Sequence, residues 1–182
     1  MRAFIAIELP SYIKDKISQL IEDLKPCQLD CKWVQADNLH MTLKFLGDIQ
    51  EGKVQPILEA IAKTAKKFKA FDVYLKDAGF FPNQRRPKVL FFSTTEEELL
   101  KNMAFELEEG LKALGFPVEA KFKAHITLAR IKSAKNLDKL IEKLEGIRIS
   151  DIFTVKDIVL KKSTLTPKGP VYQTIGKINL TA

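Results

Sequence analysis

The 182-residue chain is poor in the side chains that metal and disulfide chemistry need: two Cys (Cys27, Cys31), two His (His40, His125) and one Trp, Trp33. Two thiols cannot make a disulfide framework, and their reduced form fits the reducing cytoplasm. A structural zinc site takes four N or S ligands, and the four Cys and His here are widely separated in sequence. The expectation is therefore no metal and no cofactor. The H-E-x-x-H, P-loop, G-x-S-x-G and G-x-G-x-x-G patterns are also missing. No apolar run approaches the roughly 20 residues that span a bilayer, so no membrane partner is expected. The opening RAFIAIELP lacks a small-residue cleavage site and reads as a core strand, not as a signal peptide.

What is present fits an ordinary folded domain. Hydrophobic residues make up 46% and charged residues 29%, and the net charge of +7 attracts polyanions. A strand is expected over residues 2–9. A helix follows, with Ile13, Ile17, Leu20, Ile21 and Leu24 on one stripe, Ser11 as its N-cap and Pro26 as its stop. Residues 38–46 alternate, with Leu39, Met41, Leu43 and Phe45 opposite His40, Thr42 and Lys44, which is a half-buried strand. Val54, Ile57, Leu58, Ile61, Ala65 and Phe68 mark a second helix, and 71–76 and 88–94 two more strands.

Thr95 and Glu98 form a capping-box pattern for a third helix, which Gly115 closes. Residues 121–129 alternate again, with His125 and Thr127 on the polar side. A helix opened by Asn136 follows, then strands over about 152–163 and 171–180.

The order strand, helix, His-bearing strand, helix, two strands occurs twice. His40 and His125 stand 85 residues apart at matching places. One bilobal domain is expected, an internal repeat of approximately 1–87 and 88–182. The fold class is α+β with antiparallel or mixed sheets, flanking helices and a cleft between pseudo-symmetric lobes.

The chain's only histidines begin the matching runs His40-Met41-Thr42-Leu43 and His125-Ile126-Thr127-Leu128. Residues i and i+2 of a strand share a face, so each imidazole lies beside a hydroxyl. Imidazole titrates near neutrality, so one ring can act as base while its twin acts as acid. Threonine hydroxyls can donate to phosphate oxygens. The set suits metal-free phosphodiester chemistry, with further donors or a cation for the charge of the transition state.

LHMTLKFLG and AHITLAR, with RAFIAIELP, resemble the signature segments of the 2H phosphoesterases, in particular the RNA 2′,3′-cyclic phosphodiesterase (2′-5′ RNA ligase) branch. The resemblance covers nearly the whole chain. It implies metal-independent hydrolysis of an RNA terminal 2′,3′-cyclic phosphate to a 2′-phosphate, with reversible ATP-independent 2′-5′ ligation. It further implies His40 as the proton donor and His125 as the proton acceptor, roles that spacing alone does not assign. Phe45 and Arg130, each five residues after a His, match positions that the family places near the terminal nucleotide and the phosphate. Thr42, Thr127 and Arg130 are thus expected to bind phosphate and Phe45 the nucleotide. The expected partners are RNA ends bearing the cyclic phosphate, tRNA fragments among them, and the protein is expected to act as a monomer.

Strand parity objects to two of these. An odd offset turns Phe45 and Arg130 to the face opposite their His, where Phe45 would be core and Arg130 costly to bury. A strand end or bulge near Ala129 would release the guanidinium. Arg85 and Arg86, in a Pro-bounded loop after Phe80 and Phe81, are candidates for RNA backbone contact or mobile surface. Lys63, Lys66, Lys67 and Lys69 read as a solvated helix face, and Trp33 as a packing residue. Lys161, Lys162 and Lys168 near Tyr172 stay open. Two other readings also stand: the same chemistry on 2′-5′ oligonucleotides or small cyclic nucleotides, and a catalytically silent module that binds RNA ends.

Overall fold

The computed structural model describes residues 1–119 and 121–182. Among the described residues nine strands form two sheets. They are β1 (Arg2–Glu8), β2 (Cys31–Trp33), β3 (His40–Asp48), β4 (Phe71–Phe81), β5 (Val89–Thr94), β6 (Ile126–Ile131), β7 (Ile152–Val155), β8 (Asp157–Thr166) and β9 (Gly169–Asn179). Four helices, α1 (Ser11–Leu24), α2 (Val54–Ala65), α3 (Glu97–Lys112) and α4 (Leu137–Glu145), complete an α+β architecture. One sheet runs β3-β1-β8-β9 and the other β2-β6-β5-β4-β7, with antiparallel neighbours throughout.

Each helix buries the centre of the stripe its sequence marks, although Phe68 falls beyond the end of α2. Ile13, Ile17 and Leu24 of α1, Ile57 and Ile61 of α2, Leu100, Met103, Leu107 and Leu111 of α3, and Leu140 of α4 enter one core with the inner faces of both sheets. Fully burying such an aliphatic side chain contributes about 1.5–3 kcal/mol.

The local signals were less exact. Pro10, not Ser11, precedes α1 as its N-cap. The expected capping box does not form: Glu96 opens α3 at φ 58°, and the Thr95 hydroxyl accepts the Tyr74 N–H at 2.9 Å instead. Asn136 does precede α4, but its side-chain amide donates to the Gln28 carbonyl and not to the helix.

Several strand boundaries also differ from expectation, and β4 runs on from the expected 71–76 to Phe81. The strand expected over 121–129 begins only at Ile126, opposite Phe92. Strand β5 ends two residues later at Thr94, so the preceding segment has little ladder to join. The strand expected over 152–163 is two strands, parted at Lys156. Strand β7 pairs with β4 in one sheet, and β8 pairs with β1 in the other. The chain therefore crosses between sheets within one residue. As a result each sheet takes the strand that carries or directly follows its His, and a central strand beside it, from one half of the chain. Strand β8 of the later half joins β1, and β4 of the earlier half joins β5.

Candidate active site

The two His segments are built alike. The His40 Nδ1–H donates to the Asn38 carbonyl at 2.6 Å, and the His125 Nδ1–H donates to the Lys123 carbonyl at 2.8 Å. A carbonyl can only accept, so each ring keeps its proton on Nδ1 and leaves Nε2 as an acceptor. The Thr42 hydroxyl lies 2.9 Å from His40 Nε2, where it donates to the neutral ring. Thr42 and Thr127 are both partly exposed on the His face of their strands.

Matching bulges resolve the parity objection. Ala6 pairs with Thr42 and Ile5 with Lys44, leaving Leu43 unpaired. Phe91 pairs with Thr127 and Leu90 with Ala129, leaving Leu128 unpaired. In each strand two consecutive residues are buried, Leu43 with Lys44 and Leu128 with Ala129, after which alternation resumes in the opposite phase. Phe45, 58% exposed, and Arg130, also exposed, thereby rejoin their histidines.

The same shift corrects the placement of Lys44. It does not share the His face but is only 2% exposed on the other side, where its ammonium donates to Glu108 at 2.9 Å and the Pro117 carbonyl at 2.7 Å. Glu119 lies 3.2 Å away. Ala129 at the equivalent place needs no such partners.

Aromatic rings wall both imidazoles. Phe4 and Tyr172 approach His40 at centroid distances of 4.9 and 5.3 Å. Phe81 and Phe91, stacked at 4.0 Å, approach His125 at 4.9 and 5.7 Å. Phe91 fits because position 79 is glycine: a Cβ there would sit 2.7 Å from its Cζ.

This enclosure holds the His40 pKa down at about 4, mainly because burial penalises the imidazolium. The Asn38 carbonyl opposes that effect, while Lys161 and Lys14 reinforce it and Glu8 offsets them. Burial likewise lowers His125, with Lys123 and Arg130 adding to the effect and the Lys123 carbonyl opposing it.

Both histidines open onto one cavity of about 600 Å³. His40, Thr42 and Phe45 line it from one sheet, and His125, Thr127 and Arg130 from the other. Trp33 stands at this cavity while also packing on the core. Arg2, Lys32, Ser163, Lys168 and Tyr172 complete much of the lining, and no Asp or Glu takes part among the described residues. Two imidazoles can exchange protons here, and hydroxyls with a guanidinium can hold an oxyanion.

Other sequence candidates lie elsewhere. Arg85 and Arg86 do not line the cavity; their backbone N–H groups donate to Asn83 Oδ1 in the 82–88 loop. Lys67 pairs with Glu106 on α3. Lys161 is buried against Glu8, and Lys162 lies outside the lining. Sequence reasoning missed Arg2 and Lys32. The three-residue β2 that carries Lys32 is too short to show a period, and Arg2 precedes an apolar run that reads only as core.

The chain matches the LigT-like phosphoesterase family over residues 7–91 and 93–172. It is 36% identical over 177 residues to an RNA 2′,3′-cyclic phosphodiesterase of Methanocaldococcus jannaschii, covering 96% of this chain and 98% of the relative. A protein of the same name from Methanothermobacter thermautotrophicus is 33% identical over 175 residues, covering 94% of this chain and 95% of the relative. The crystal structure of E. coli LigT complexed with 3′-AMP superposes with a TM-score of 0.76 at 25% identity, covering 100% of this chain and 98% of LigT. Twin histidine strands enclosing one cavity, and a match across both halves, make this chain a member of the LigT-like phosphoesterase family.

Proposed function

We propose that the protein hydrolyses the terminal 2′,3′-cyclic phosphate of RNA to a 2′-phosphate by acid–base catalysis between two histidines, without a metal ion. The observation that carries this reading is the convergence of two Nδ1-anchored imidazoles and two threonines on one cavity free of carboxylates among the described residues. Relatives that span nearly the same length are named RNA 2′,3′-cyclic phosphodiesterases, and one neighbour was crystallised with 3′-AMP.

In this reading His125 takes a proton from water as the oxygen attacks phosphorus. The P–O3′ bond breaks, and His40 protonates the departing O3′. Thr42, Thr127 and Arg130 hold the non-bridging oxygens, and Phe45 faces the terminal nucleotide. A free His40 with its depressed affinity for protons is neutral at pH 7; an arriving phosphate anion restores the proton it must donate. With an RNA 5′-hydroxyl replacing water, the same step forms a 2′-5′ bond without ATP, reversibly. The reading also carries a cytoplasmic monomer, one bilobal unit of halves 1–87 and 88–182, acting on RNA ends that include tRNA fragments.

The test is incubation in EDTA with an oligonucleotide ending in a 2′,3′-cyclic phosphate, followed by location of the product phosphate. A 2′-phosphate is expected. Formation of 3′-phosphate alone, or a strict requirement for added divalent metal, would overturn the reading. Salt-sensitive RNA binding with no product would favour the silent end-binding module. Faster turnover of 2′-5′ oligonucleotides or small cyclic nucleotides would move the substrate instead.

A further inference from the structure

Arg2, Lys32, Arg130 and Lys168 all line the cavity, and none makes a salt bridge among the described residues. A cyclic phosphodiester carries one negative charge. Four unpaired cations exceed what one such group needs, and holding them together costs self-repulsion unless more anion arrives.

Their placement gives a direction. Arg130 on β6 and Lys32 on β2 are directly opposed cross-strand partners. Lys32 extends onward to the β8–β9 turn, where a Cβ on Gly169 would sit 3.4 Å from its Nζ. Lys168 is the neighbouring residue of that turn. The Asn38 side chain donates to the Pro170 carbonyl at 2.9 Å, so the turn is tied to the segment that leads into β3. The rim therefore joins both sheets, and the cations run from Arg130 through Lys32 to the β8–β9 turn.

We infer that Lys32 and Lys168 form a subsite for the phosphodiester that links the terminal nucleotide of RNA to the one before it. The inference rests on the proposed reading, since the cyclic phosphate is taken to sit between the imidazoles. It makes the preferred substrate an RNA of at least two nucleotides. The contacts are to backbone phosphate, so they select chain length and not base.

Binding tests this apart from turnover. A nucleoside 2′,3′-cyclic phosphate and a dinucleotide ending in the same group are titrated against full-length His125→Ala protein, so that turnover of either ligand is slowed about 10²-fold or more. Trp33, the only Trp, lies at the cavity and reports by fluorescence. The dinucleotide should bind about 10-fold tighter in low salt, with a steeper salt dependence. Added Lys32→Gln or Lys168→Gln, both at exposed positions, should each shrink that advantage and lower the dinucleotide's salt slope by about one. Mononucleotide affinity should stay unchanged. Equal affinity for the two ligands, or an advantage that survives both substitutions, overturns the subsite. Parallel loss of both ligands overturns it too, by making the lysines part of the reactive-phosphate site. Turnover of the mononucleotide by the unsubstituted protein tests the functional reading alone.

Discussion

Leu43 and Leu128 are counterparts: each stands three residues after a histidine, and each is skipped by a bulge, Leu43 in the ladder to β1 and Leu128 in the ladder to β5. One extra residue in each strand reverses the side-chain phase, bringing Phe45 and Arg130 onto the face of the histidines. Arg130→Gln should therefore lower kcat/KM by about 10²–10³-fold, the effect of losing one donor to a developing oxyanion. Its thermal stability should hardly move, since the side chain is exposed. Unaltered kinetics would remove Arg130 from phosphate binding.

Replacement of either histidine by Ala should cost about 10²-fold or more in rate. Single-turnover measurement on the purified variants decides the matter. Near-normal turnover by His125→Ala would take that ring out of the mechanism.

The pH profile should be displaced to acid. In the free protein both imidazoles are neutral at pH 7, and the productive form needs one proton. The kcat/KM profile should rise as pH drops below 7 and decline again at more acid pH, whereas kcat, which reports the phosphate complex, should have its limbs at higher pH. Superimposed profiles would contradict the coupling of His40 protonation to anion binding. Stability should follow the same logic. The unfolded His40 takes up a proton near 6.5 and the folded one only near 4, so stability falls by about 3 kcal/mol between those values as pH decreases. Urea titrations at pH 7 and pH 4.5, with and without phosphate, measure it.

Lys44→Met should act on stability more than on chemistry. It leaves the Glu108 carboxylate, 12% exposed, without its cation, at a cost of about 3–5 kcal/mol. Adding Glu108→Gln should recover much of this, as judged by chemical denaturation. A single variant as stable as the parent would mean that Glu108 readily reaches water.

Gly79→Ala should push on Phe91, which is buried and stacked against Phe81. A loss of about 1–3 kcal/mol is expected from overpacking. A change in the His125 titration by NMR would show that the aromatic wall sets the ring's environment. An unmoved titration would make Phe91 purely structural.

Much of this was legible beforehand because it rests on periodicity. The four helical stripes and the strands around His40 and Thr42 follow from which residues must leave water. The bulges were harder to see. Alternation through Met41, Leu43 and Phe45 looks unbroken in sequence, and only pairing with Ile5 and Ala6 exposes the extra residue. Near Ala129 the difficulty of burying an Arg gave the clue. The split at Lys156 was hidden because the residues on both sides of it form strands, and nothing local says that they join different sheets. Lys32 escaped notice because its strand is held by Arg130 across from it, a contact nearly one hundred residues away in sequence.

The crossing at Lys156 commits the two halves to each other. A polypeptide ending in the 82–88 loop would hold β1 and β3 without β8 and β9, and the remainder would hold β5 and β6 without β4. Neither fragment can complete a sheet by itself, so half of the gene is not half of an enzyme. Mixed together, the two pieces have every reason to reassemble, and each brings the imidazole that the other lacks.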